Sequence, residues 1–309
     1  MRIAILGAGG VGGYYGGALA RAGHEVSMLA RGAHLDALRA GGLEVRTPEG
    51  TYTVGVEAAG DPEAMGAVEL AVVAVKTYSL PEIVPAARLL AERGAAVLPL
   101  LNGVDAADRL VEGGVPGAQV LGGLAEISAA RVGPGVVERR SPFQRIVVGE
   151  REGGISEGAE GAGRAERIAA VFRESGVEAR VSADITLDLW RKLAFIASMA
   201  AACGLARSPI GPVRRAPLGR LLIERAVREV GEVARARGVA LTGDDEAKIL
   251  AFADGLPDPM KPSLLLDLES GGPTEIGDLS GAVSRLGRLA GVDTPVHDVA
   301  TAALSVARP

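Results

Sequence analysis

Apolar positions in the first 183 residues fall in short runs separated by stretches of helical spacing; from Asp184 almost to the end only the helical spacing remains. Runs at Arg2–Leu6 and at residues 24–30, 68–75, 95–100 and 119–127 predict strands, with helices such as 81–93 and 105–112 between them. That alternation implies a parallel sheet covered by helices. Leu43–Thr47 and residues 52–58 flank Pro48-Glu49-Gly50 and predict a hairpin, while 135–140 with 145–149 predict late antiparallel strands, so the sheet should be mixed. Residues 153–163 hold five glycines in eleven positions and read as a mobile surface loop, followed by a helix at 164–175 and a strand at 177–181. Beyond them, helices are expected at 184–206, 217–237, 244–252, 262–270, 274–290 and 295–306, with glycine or proline between most. The expectation is an α/β domain over residues 1–183 and an all-helical domain over 184–309.

Composition narrows the class. The 309 residues suffice for two cores, and 48% apolar with 23% charged is ordinary for a soluble globular protein. A net charge of -5 without a dense basic run argues against nucleic acid. The apolar start is broken by glycine within seven residues, unlike a signal peptide, and the apolar stretch 193–206 is shorter than a bilayer span. A cytoplasmic protein with no membrane partner is expected. One cysteine, Cys203, excludes an internal disulfide; His24, His34 and His297 show no ligand spacing, so no metal is expected. Only four of 33 basic residues are lysine, at 76, 192, 248 and 261. Each retained lysine is therefore a candidate for chemistry that needs an amine able to lose its proton.

The sharpest local signal is Gly7-Ala8-Gly9-Gly10-Val11-Gly12, a G-x-G-x-x-G turn between the first strand and a helix. Gly7 permits the tight turn, Gly9 lets backbone approach a pyrophosphate, and Gly12 allows close packing of helix on strand. The N–H groups opening the helix, around Gly10 and Val11, face the anion. The second strand then ends at Arg31, about where an NAD site carries an acidic residue for the ribose 2′-hydroxyl. A cation there favours a 2′-phosphate, so NADP(H) is the expected cofactor. Substrate is sought beside the carboxyl ends of the strands, where loops and the first helices of the second domain supply side chains. Asn102, in the loop after strand 95–100, can hydrogen-bond both cofactor and substrate there.

Residues 7–12 with Arg31, Val75-Lys76-Thr77, Leu101-Asn102-Gly103 and Trp190-Arg191-Lys192-Leu193, then Ser263 and, twelve residues on, Glu275, form one ordered set. It resembles the ketopantoate reductase (2-dehydropantoate 2-reductase) family over essentially the full length. The resemblance implies a Rossmann-type dinucleotide-binding domain with a second, all-helical domain. It also implies NADPH-dependent reduction of a small-molecule 2-oxo acid, ketopantoate to pantoate in pantothenate biosynthesis. By the same resemblance Lys192 is the general acid that protonates the ketone oxygen, and Glu275 is its acidic partner. Lys76 contacts the cofactor and the substrate side, and Ser263 binds the substrate carboxylate. The residues by themselves also allow plainer roles. Arg191-Lys192 could be a solvated helical face, Glu275 a first-turn carboxylate of helix 274–290 capped by Thr274, and Ser263 an ordinary first-turn serine sharing a face with Asp267.

One departure concerns the substrate. The family pattern places asparagines four and eight residues after the lysine; here those positions are Ile196 and Ala200. Met199 and Cys203 continue that apolar stripe, which predicts core packing and puts ketopantoate itself in question against a more apolar 2-oxo acid. Two alternatives stay open: another dehydrogenase with a Rossmann and a helical domain, opine-type or 3-hydroxy acid, and a non-catalytic NADP(H)-sensing protein. An apolar helical face can also pack against a second copy, which leaves a homodimer open.

Overall fold

The computed structural model describes residues 1–151 and 159–306, which divide into two compact units. The first comprises Met1–Leu101 with Asp105–Ile185, and the second Asn102–Val104 with Thr186–Pro309.

In the first unit the chain runs β1 (Arg2–Leu6), α1 (Gly10–Arg21), β2 (Glu25–Leu29), α2 (Gly32–Gly41), β3 (Leu43–Thr47), β4 (Gly50–Val54) and β5 (Glu57–Ala59). It continues through β6 (Leu70–Val73), α3 (Leu80–Glu92), β7 (Ala96–Pro99), α4 (Ala106–Glu112), β8 (Gly122–Gly133), β9 (Val136–Gly149), α5 (Ala159–Glu174) and β10 (Glu178–Val181). A parallel sheet has the order β5-β2-β1-β6-β7. Its central strand alternates by the period of two: Ile3 and Ile5 enter one core with Leu19 of α1, and Ala4 and Leu6 enter another with Leu80 and Leu90 of α3. All four are fully buried, as a strand covered on both faces requires. Strand order reverses beside β1, so the carboxyl end of β1 is the topological switch point where open α/β sheets bind ligands.

A second sheet, β10-β9-β3-β4 with β8 on β9, corrects three expectations. Residues 119–127 were expected as a parallel strand, but only Val120 bridges Val97 before the chain leaves as β8 to pair antiparallel with β9. The long hairpin forms many ladder bonds where the parallel sheet had offered one bridge. The two late strands at 135–140 and 145–149 are one strand, β9; the interruption becomes a register shift after Ile127, where Ser128 N–H donates to Ser141 Oγ at 2.9 Å. The hairpin's second arm splits at Gly55: β4 pairs with β3, whereas β5 joins β2 in the parallel sheet, its Glu57 accepting from Ser27 Oγ at 2.7 Å. Of the loop expected at 153–163, residues 152–158 lie outside the described residues; α5 already begins at Ala159.

The second unit holds α6 (Ile185–Ala206, with Ile185 itself in the first unit), α7 (Ile210–Arg215), α8 (Gly219–Ala236), α9 (Gly243–Asp254), α10 (Ser263–Glu269), α11 (Ser280–Ala290) and α12 (Pro295–Ser305). Helix α8 buries Ile223, Ala226, Val227, Val230, Val233 and Ala234, a stripe at three- and four-residue spacing. It shares a core with Trp190, Leu193 and Ala197 of α6, Val283 of α11 and Leu304 of α12. Glu229 of α8 accepts the N–H groups of Val296 and His297 at 2.9 and 3.1 Å, supplying the cap that Thr294 at the start of α12 does not, since its hydroxyl donates to Asp298 instead. Helix α6 is long and apolar enough to cross a membrane by length and composition, but Leu193, Ala194, Ala197, Met199, Ala200 and Cys203 are buried in the unit's two cores.

Candidate active site

Three glycines of the first turn do separable work. Gly7 stands at φ +110°, a conformation that L side chains avoid. Gly12 touches the Gly7 carbonyl oxygen so closely that a Cβ would collide with it and with Ile5. Gly9 faces open space, with nothing within 4 Å of where a Cβ would be. A bare backbone thus opens onto free volume at the start of α1, whose first-turn N–H groups have no intrahelical acceptor. This fits a dinucleotide pyrophosphate. Gly10 is bare for a different reason: its Cβ would run into the Ala129 carbonyl of β8. Val11 is half-buried at the same helix end.

Arg31 follows β2 and precedes α2, with its side chain 71% exposed, and donates to Glu82 of α3 at 3.1 Å. Such a surface pair is worth about 0–1 kcal/mol, little enough for a phosphate to displace the carboxylate. Lys76 is half-buried just past β6 and precedes a short 3-10 turn, Thr77–Ser79, in which Ser79 N–H bonds the Lys76 carbonyl at 2.9 Å. Thr77 is buried, and its carbonyl accepts from Arg109 of α4 at 3.4 Å.

In the second unit the residues predicted from three distant motifs partly converge. The segment Asn102–Val104 belongs to this unit, and Asn102 Nδ2 donates to Glu275 Oε2 at 3.2 Å across 173 positions of sequence. Glu275 is not in a first helical turn, as expected: α11 begins at Ser280. Gly277 disfavours an earlier start, and residues 275–279 form a turn in which the Glu275 carbonyl accepts the N–H groups of Asp278 and Leu279. Ile276 and Leu279 anchor that turn in the core and carry the Glu275 carboxylate inward, to 4% exposure. A buried carboxylate facing an amide is not a helix-dipole ornament.

Lys192 is half-buried on α6, between the buried Trp190 and Leu193. Its neighbour Arg191 is tethered: Nε donates to Asp245 at 2.9 Å, and a second nitrogen lies 3.5 Å from Asp188. Asp245 also closes a capping box with Thr242 at the start of α9. Burial alone would raise the Asp245 carboxyl, but the Thr242 N–H and hydroxyl and the Arg191 guanidinium hold it below its usual range. The Thr-x-x-Asp spacing marked the cap in the sequence, whereas nothing there marked Arg191 as its partner. Ser263 is the exposed first residue of α10, and Asp267 is half-buried on the same helix. Past Lys192 the stripe is core: Ile196 packs partly and Ala200 fully in one cluster, Met199 and Cys203 in the other. Burial pushes the Cys203 thiol up to about 11, so it stays a thiol.

A cavity of about 500 Å³ in the first unit, lined among others by Tyr14, Tyr52, Arg21, Arg139 and Glu49, contains none of these residues.

Two family models cover the chain: "Ketopantoate reductase PanE/ApbA" over residues 3–153, and its C-terminal counterpart over 184–307. A 2-dehydropantoate 2-reductase of Halobacterium salinarum is 34% identical over 302 residues, covering 96% of this chain and 95% of its own. Among solved structures, 2-dehydropantoate 2-reductase from Geobacter metallireducens GS-15 superposes with a TM-score of 0.89 at 30% identity, covering 99% of each chain. D-mandelate dehydrogenase, solved with NADH and anilino(oxo)acetate, shares the fold at a TM-score of 0.87 and 24% identity, over 99% of this chain and 97% of that one.

Proposed function

The chain belongs to the ketopantoate reductase family of pyridine-nucleotide-dependent oxidoreductases, and from that premise we propose that it reduces a small 2-oxo acid with NADPH, ketopantoate first among the candidates. Gly7, Gly9, Gly10, Val11 and Gly12 hold the pyrophosphate, Arg31 the 2′-phosphate, and Lys76 the cofactor near its reacting end. Bound reduced nicotinamide supplies a hydride to the carbonyl carbon. The Lys192 ammonium gives its proton to the carbonyl oxygen as negative charge develops there, so that hydride and proton together make the 2-hydroxy acid. Asn102 spends one N–H on Glu275 and keeps a second N–H and its oxygen for cofactor and substrate. Ser263 offers a hydroxyl to the substrate carboxylate. A reductase drawing on the cellular nicotinamide pool works in the cytoplasm, and its product feeds pantothenate synthesis.

The observation that carries this reading is the buried Glu275 holding Asn102, because a buried carboxylate bonded to a motif amide has no use in packing. Ile196 and Ala200 support a second reading of the substrate: apolar side chains offer no hydrogen bond to a substrate hydroxyl and favour a more apolar 2-oxo acid. Following NADPH absorbance across ketopantoate, branched-chain and aryl 2-oxo acids separates the two. Fastest turnover with ketopantoate supports the first, fastest turnover with an apolar acid the second, and no oxidation with any acid sinks both. Lys192→Ala is expected to lower kcat by about 10²- to 10⁴-fold while leaving NADPH affinity intact.

A further inference from the structure

We infer that His34 is a positioning residue for the nucleotide, a ring that ties the glycine turn to the tip of the β8–β9 hairpin. The inference rests on the reading that this turn holds the pyrophosphate.

His34 lies on α2 and is 4% exposed. Nε2 is 2.8 Å from the Ala8 carbonyl oxygen, in the middle of the glycine turn, and Nδ1 is 2.9 Å from the backbone nitrogen of Gly135, at the hairpin tip. The partners dictate the ring's state. The Gly135 N–H can only donate, so Nδ1 carries no proton; the Ala8 carbonyl can only accept, so the proton sits on Nε2. Burial keeps the ring neutral, and the like charge of Arg131 on β8 works in the same direction against the opposing Ala8 bond.

The consequence lies in the peptide plane. Fixing the Ala8 carbonyl fixes the planar Ala8–Gly9 peptide, and hence the direction of the Gly9 N–H at the residue that faces open space. The Gly9 carbonyl is in turn held by the Gly13 N–H at 2.8 Å, so the orientation passes into the first turn of α1. The other end of the tie is firm as well, because the Gly135 carbonyl accepts the Glu44 N–H of β3 at 2.8 Å. The same hairpin supports the turn directly at Gly10, packed on Ala129. The hairpin thus supports the segment that must meet the phosphates at two separate points, through His34 of α2 at Gly135 and directly at Ala129.

Three substitutions separate positioning from mere stability. His34→Phe keeps the ring's bulk and loses both bonds; Asn and Gln both carry an amide with a donor and an acceptor, but the shorter side chain of His34→Asn reaches Gly135 and falls short of Ala8, whereas the longer one of His34→Gln can serve both. NADPH dissociation constants come from nucleotide fluorescence titration, beside melting temperatures without nucleotide and kcat at saturating NADPH. The expected result is a dissociation constant raised about tenfold in His34→Phe and His34→Asn, kcat within about threefold, and recovery in His34→Gln. His34→Asn decides the matter if His34→Phe fails to fold. Wild-type affinity in His34→Asn, or affinity lost equally in His34→Gln, overturns the inference. Failure of the underlying reading looks different: the unaltered protein then binds no NADPH, or Gly9→Val binds it as well as the unaltered protein does.

Discussion

Arg31 and His297 show how differently two isolated basic side chains can be used. Arg31 is exposed and, among the described residues, its side chain is held only by the likewise exposed Glu82, so bringing it to a 2′-phosphate costs little. Its replacement by alanine is expected to weaken NADPH binding about 10- to 100-fold and NADH binding hardly at all, read by parallel fluorescence titrations. Equal losses for both nucleotides would remove Arg31 from the 2′-phosphate. His297 is wholly buried: Nε2 donates to the Ala226 carbonyl at 3.0 Å and Nδ1 accepts from Ser280 Oγ at 3.1 Å. Burial pushes its pKa down to about 4 from an ordinary 6.5. Since the unfolded chain then binds the proton more tightly, stability present above pH 6.5 is lost as pH falls toward 4, by about 1.4 kcal/mol per pH unit. Denaturant unfolding between pH 4.5 and 7 should show a slope steeper by that amount than in His297→Asn.

Helix α1 is the element on which the glycine pattern acts twice, once for the ligand and once for the fold. Gly12→Ala places a methyl against the Gly7 carbonyl and should cost roughly 3 kcal/mol of stability, whereas Gly9→Ala meets nothing and should leave the melting temperature unchanged while lowering nucleotide affinity. Thermal melts of the two variants with and without NADPH test the division; a destabilised Gly9→Ala would contradict it. At this scale the strands and helices with clear apolar periodicity were readable from the chain: β1, β2, β6, β7, α3, α6 and α8 lie within a residue or two of expectation. Two misreadings share one physical kind: residues 119–127 and residues 52–58 are places where local pattern admitted two pairings, and pairing with a distant strand chose between them.

For the molecule as a whole, the three residues 102–104 matter because they leave the unit that contains β7 and join the helical one, where Asn102 meets Glu275. Paired groups should respond as a unit. In kcat/KM, Asn102→Ala and Glu275→Ala together are expected to cost less than the sum of the two single losses, with a coupling of about 1 kcal/mol or more; strict additivity would mean that the bond does no work in turnover. Whereas the roles of Lys76, Lys192, Ser263 and Glu275 came from the family resemblance alone, the glycine turn, the parallel sheet behind it and the helical second half could be inferred from spacing, because backbone geometry converts period and glycine position directly into element and turn. The burial of Glu275, its bond to Asn102 and the clamp of His34 on Ala8 could not. Each depends on which remote backbone or side chain arrives beside a group once the core closes, and a one-dimensional pattern carries no record of that encounter.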